Sequence, residues 1–130
     1  MQDKQIQNPQ TSKSKCYDLE ERTYIFTKRV NEYVNRLPKT IPNIENGRQL
    51  VRSSGSVGAN YIEANESLSK KDFQMRIKIC KKEAKESRYW LRLTEPHDEA
   101  KQDKEILVNE ALELMKIFGS ILEKNKVRSK

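Results

Sequence analysis

Seven cations, Lys71, Lys78, Lys81, Lys82, Lys85, Arg88 and Arg92, recur at spacings of three, four and seven in the middle of the chain. At about 100° per residue a helix gathers them into one longitudinal stripe. Between Ser69 and Glu95 nine Lys or Arg stand against four Asp or Glu, so this segment carries +5 of the formal +7 of the whole chain. A charge so localised suits a polyanion, and Tyr89 on the same face offers a ring for stacking on a base or sugar. Phosphate contacts of this kind give affinity and salt dependence without reading sequence. Two plainer explanations compete: a solvated helix face, or a dock for an acidic protein. Mixed charge suffices for solubility, whereas this face is nearly free of acids over about five turns.

The other residue types that could do chemistry are poorly placed for it. Glu83 and Glu86 sit three apart and invite a reading as a carboxylate pair, but di-iron chemistry in a helical bundle needs a Glu-x-x-His on each of two helices. The single histidine, His97, lies beside Pro96. Pairing of Glu83 and Glu86 with Lys82, Arg88 or a neighbouring subunit is the structural alternative. The run Arg52 to Ala59, RSSGSVGA, is rich in small residues but lacks the Gly-Lys-Ser/Thr ending of a phosphate loop, and it is not a G-x-S-x-G elbow. Cys16 and Cys80 match no metal spacing, and Cys80 reads as a small core residue. No catalytic residue, cofactor or metal site is expected, and the chain is not read as an enzyme.

Long amphipathic helices are needed to present the stripe. Only four Gly and four Pro occur, with 35% charged residues spread throughout. The first helix is expected from Asp18, with Leu19, Phe26, Val30, Tyr33 and Leu37 inward and Pro38 as its stop. An extended link over Lys39 to Pro42 follows, because Pro42 biases Ile41 away from the helix. The second helix is expected from Asn43 or Glu45 to about Glu66, stacking Leu50, Ser54, Val57, Tyr61 and Leu68. Its Gly55 and Gly58 imply either close packing of a neighbouring backbone or a break. Ser69 is read as the N-cap of the third helix, with Asp72 at N3, and Pro96 ends that helix after Thr94. The fourth starts between Asp98 and Asp103 and stacks Leu107, Ala111, Leu114, Phe118 and Ile121.

These expectations make an all-α fold, an antiparallel up-down-up-down four-helix bundle over 17–126, flanked by a disordered or weakly ordered tail over 1–16 and a basic tail over 127–130. The alternative is a three-helix bundle with a broken second helix. Within the third helix, Phe73, Ile77, Cys80, Ala84 and Leu91 form the core stripe. A further face holding Met75, Ile79, Glu83, Glu86, Trp90 and Leu93 has no expected partner inside one chain, so Ile79, Glu83, Glu86 and Trp90 are candidate oligomer contacts. Arg52 and Glu63 of the second helix are read as a polar cluster at the same contact. No apolar run reaches the roughly 20 residues that span a bilayer, and Met1 to Ser14 lacks a signal-peptide core, so a cytoplasmic location without membrane contact is expected.

The run Gly47-Arg48-Gln49-Leu50, then RSSGSVGANYIEANES over Arg52 to Ser67 and KKDFQMRIKICKKEAKESRYWLRL over Lys70 to Leu93, resembles the four-helix bundle family encoded in intervening sequences of bacterial 23S ribosomal RNA genes. That family is similar to the accessory variability determinant of diversity-generating retroelements. The resemblance spans about Tyr17 to Asn125. It rests on Arg52, Ser53, Ser54, Ser56, Asn60, Glu63, Phe73, Glu83, Glu86 and Trp90. Glu63-Ala64 departs from the Glu-Gly pair common in the family. The resemblance implies an antiparallel four-helix bundle assembled as a ring-like homopentamer with a basic surface. For the retroelement relatives it implies binding of nucleic acid and of a reverse transcriptase. It transfers no catalytic residue. Two functions follow as expectations: a non-enzymatic oligomeric accessory protein that contacts RNA or DNA backbone, or a scaffold that docks an acidic or polymerase-like partner.

Overall fold

The structure is a computed structural model and describes residues 19–126. The tails expected over 1–16 and 127–130, with Cys16, lie outside the described residues. Among the described residues the fold is all-helical: α1 (Leu19–Asn35), α2 (Ile41–Asn65), α3 (Lys70–Leu93) and α4 (Lys101–Lys124), with one 3-10 turn, Asp98–Ala100, leading into α4.

Period-3.6 patterning sets the buried faces. Leu19, Phe26, Val30 and Tyr33 of α1 are buried, and so is Leu37 in the turn beyond it. The Leu37 N–H donates to the Val34 carbonyl (3.1 Å), so the chain leaves the helix just before Pro38. On α3, Ile77, Cys80, Ala84 and Leu91 are buried and Phe73 packs half-buried against them; on α4 the same holds for Leu107, Ala111, Leu114 and Phe118, with Ile121 half-buried. Ser69 caps α3 as its sequence position suggests, its Oγ accepting the Asp72 N–H (3.0 Å).

Two boundaries differ from the sequence reading. Instead of starting at Asn43 or Glu45 after an extended link, α2 begins at Ile41. A proline costs nothing in a first turn, whose N–H groups have no intrahelical acceptor, and Thr40 Oγ1 accepts the Asn43 N–H (3.2 Å). Together these outweigh the bias that Pro42 imposes on Ile41. Leu68 is not part of the α2 stack. The helix ends at Asn65 and leaves Leu68 in the following turn, 98% exposed.

The most extensive contact is α2 on α3, then α3 on α4, then α1 on α2, with α1 on α4 slighter than these three. Partners descend on one helix as they ascend on its neighbour. Between α2 and α3, Ser53 meets Ser87 (2.9 Å), Val57 O accepts from Cys80 Sγ (3.4 Å) and Asn60 accepts from Arg76 (2.8 Å). Between α3 and α4, Lys104 reaches the Arg92 carbonyl (3.2 Å) and Gln74 donates to the Asn125 carbonyl. The same order links Thr27 Oγ1 to the Ser54 carbonyl (2.8 Å) and brings Thr23 beside Gly58.

One side chain clamps an end of the molecule. Asn43, 4% exposed, donates through Nδ2 to the carbonyls of Pro38 (3.0 Å) and Glu95 (3.0 Å) and accepts the Glu95 N–H (2.9 Å) through Oδ1. The α1–α2 link and the α3–α4 link are thereby joined. Nearby, Thr94 Oγ1 donates to the Leu91 carbonyl (2.6 Å), so the buried Tyr33 hydroxyl is the donor to Thr94 (2.7 Å).

Because α2 is continuous, the broken-helix alternative falls. Its glycines divide into two kinds. A Cβ on Gly58 would lie 3.0 Å from Thr23 Oγ1, so α1 approaches here as only a missing side chain permits, whereas a Cβ on Gly55 would meet nothing within 4 Å. Gly58→Val is therefore expected to cost about 1–3 kcal/mol by forcing α1 off α2. Gly55→Ala is expected to gain about 0.5–1 kcal/mol from helix propensity. Urea unfolding of the two variants checks both signs.

Candidate nucleic-acid interface

The stripe forms because α3 is held on its core by one face and leaves the opposite face to water. Lys71, Lys78, Lys81, Lys82, Lys85 and Arg92 are all exposed, and Arg88 is half-buried. Among the described residues only Lys82 of these seven forms an ion pair, at 3.8 Å from Glu83 Oε2, and its own side chain stays 61% exposed. Such a pair is worth little and leaves the ammonium available. The stripe runs beside α4, since a Cβ on Gly119 would lie 3.6 Å from Lys81 Nζ. Tyr89 is 56% exposed and stands edge-on to Trp90, ring centroids 4.9 Å apart. The Trp90 ring braces it.

The candidate oligomer residues are distributed differently from the sequence reading. Ile79, Glu86 and Trp90 are half-buried, and Arg52 and Glu63 are exposed on α2. Trp90 is not without a partner inside the chain, because it packs against the core cluster. Met75 and Leu93, at 49% and 44%, do stay exposed. Arg52 and Glu63, eleven residues apart and so about 16 Å along the helix axis, are not brought together within one chain.

Glu83 is the larger departure. It is 7% exposed; its Oε1 is shielded from solvent and has no donor. Pairing with Arg88 does not occur: five residues along a helix is about 140° around it, so the two sit on opposite flanks of α3. Arg88 Nε is likewise shielded and without an acceptor. Sequence reasoning missed the roles of Arg76, which bonds Asn60 across the α2 seam, and of the Ser53–Ser87 hydroxyl pair in the interior. Their signal was present, since Arg76, Cys80, Glu83 and Ser87 are spaced by three and four on the α2-facing side.

No group of three or more His, Cys, Asp or Glu gathers as a metal site among the described residues, and no described helix is long and apolar enough to cross a membrane. His97 lies exposed before the 3-10 turn. Burial pushes the Cys80 thiol up to about 12 from an ordinary 9.0. Above pH 9 the unfolded chain therefore loses this proton while the folded chain keeps it, so stability should fall as pH rises from about 9 toward 12. Buried Tyr33, its phenol raised for the same reason, adds to that slope. In a Cys16→Ser background, Cys80 is expected to resist an aromatic disulfide reagent at neutral pH until the protein is unfolded.

The family model described as 23S rRNA-intervening sequence protein matches residues 15–120. Among solved structures, the chain is similar to a protein with unknown function from the S23 ribosomal protein family from Bacteroides thetaiotaomicron. The two are 26% identical, with 80% of this chain and 94% of that chain covered and a TM-score of 0.66. No curated protein matches.

Proposed function

The chain belongs to the 23S rRNA-intervening sequence protein family, and on that footing we propose that it is a non-enzymatic, oligomeric accessory protein that binds RNA or DNA backbone through the basic face of α3. One observation carries this reading: six of the seven stripe cations are exposed, and only one of them is engaged in an ion pair with a described residue. Clustered cations repel one another and raise the local potential that attracts a polyanion. The thiol of Cys80, held protonated in the interior, argues against nucleophilic chemistry. The proposed architecture is an antiparallel up-down-up-down four-helix bundle, supported by the opposed order of partners along each helix pair. The proposed setting is the cytoplasm.

Assembly into a ring, proposed as a homopentamer by family resemblance, is supported by Met75 and Leu93, which α3 leaves exposed on one side. A ring would multiply weak phosphate contacts. The test is fluorescence anisotropy with structured RNA and with duplex DNA over a salt series, on protein whose mass is fixed by light scattering. Affinity should fall steeply with salt. An absence of binding at low salt removes this reading. A second reading, a scaffold docking an acidic or reverse-transcriptase-like protein, is favoured by exposed Ile44, Val51 and Ile62 on α2. Stable co-purification of such a partner after nuclease treatment would support it.

A further inference from the structure

Where α3 hands over to α4, the two helices flank an open cleft of 860 Å³. That is within the roughly 300–1,000 Å³ typical of small-ligand sites. Its lining combines three chemistries. Val108 and Leu112 supply apolar surface, Asn109 supplies a carboxamide, and Arg88 and Arg92 supply guanidinium groups. Of the cleft's two lysines, Lys104 is engaged and Lys101 holds only a surface pair. Lys101 pairs with Asp98 (3.2 Å), and Lys104 donates to the carbonyls of Thr94 (2.7 Å) and Arg92 (3.2 Å). The guanidiniums of Arg88 and Arg92 are not engaged: neither forms an ion pair with a described residue.

We propose that this cleft takes one nucleotide unstacked from a single strand, its phosphate on Arg88 and Arg92 and its base against Val108 and Leu112, with Asn109 at the polar edge of the base. This rests on the nucleic-acid reading above and deepens it. A bare phosphate would use only the two arginines and leave the apolar lining empty. A duplex would carry further phosphates toward Glu95 and Glu105, which also line the cleft and repel them. The same carboxylates suit the amino and hydroxyl donors of a base and ribose. Continuity supports the assignment as well. Arg88 and Arg92 are the last cations of the stripe, so a strand tracked along Lys78 to Lys85 arrives at this corner. The stripe then grips phosphates and the cleft holds a base, a division found wherever single strands are bound by charge and base contact together.

Calorimetry with AMP, adenosine and inorganic phosphate tests the cleft directly. AMP should bind at least about tenfold more tightly than either part alone. Asn109→Trp, a change at an exposed position that fills the cleft and keeps every cation, should abolish AMP binding. It should also weaken a single strand of about twelve nucleotides by about tenfold, leaving duplex binding unchanged. Arg92→Ala, at an exposed position, should weaken AMP without unfolding the protein and guards against a misfolded tryptophan variant. Undetectable AMP binding, with single strand and duplex bound equally by wild type and Asn109→Trp, would overturn the cleft while leaving the proposed function intact. Failure of every nucleic acid to bind would overturn both.

Discussion

Replacing Lys78, Lys81 and Lys85 with glutamate is expected to lower affinity for RNA and duplex DNA by at least about 100-fold at moderate salt. Counterion release sets the size of the loss: each phosphate contact removed takes about 0.7–0.9 from the slope of log affinity against log salt, and a reversed charge adds repulsion. The three lysines are exposed and carry no ion pair with a described residue, so their loss should leave thermal unfolding within about 0.5 kcal/mol of wild type. Arg88 is left out of the set because its Nε is enclosed, and a change there would mix binding with stability. Circular dichroism melts beside an anisotropy titration separate the two. An unaltered affinity in a folded triple variant would end the assignment of the stripe.

Asn43→Asp should be the most damaging of the conservative changes, costing about 3 kcal/mol or more. The carboxamide donates two hydrogen bonds, to the carbonyls of Pro38 and Glu95, while accepting the Glu95 N–H. An aspartate keeps the acceptor and turns the donor side into an oxygen facing two carbonyls in a buried site. Losing buried partners costs about 1–3 kcal/mol, and placing like dipoles against a charge adds to it. Asn43→Ala, which removes the groups without adding repulsion, should cost less. Urea midpoints at the wild-type value for both variants would show that the clamp is dispensable.

Most of the helical frame is legible in the sequence because burial writes a 3.6-residue period into apolar positions. Phe26, Val30 and Tyr33 on α1, and Leu107, Ala111 and Leu114 on α4, fall where that period puts them. Ser69 was readable because an N-cap is a local device with a local signature. Asn43 was not, since two of its three clamp bonds go to Glu95, 52 residues on, and nothing local distinguishes a clamp from a helix start. The burial of Glu83 was not legible for a related reason: its face of α3 was read as having no partner inside the chain, and burial there depends on how the helices pack. The stripe was readable as charge. The cleft beside it was not, because Arg88 and Leu112 become neighbours only when α3 and α4 pack.

The seam between α1 and α4 has a consequence for any experiment in which salt is the variable. It is the thinnest of the four, and Arg22 spans it with two hydrogen bonds to Glu110 (2.7 and 2.9 Å), as does Arg36 to Asp103 (2.8 Å). The other seams rest on apolar burial, which ordinary salt hardly weakens, whereas these charge pairs are screened within a Debye length of about 10 Å at 0.1 M. The molecule thus has two ionic clocks set by the same dial. One governs how firmly α3 holds a polyanion, the other how firmly α1 stays latched, and amide exchange in α1 would read the second without reference to the first.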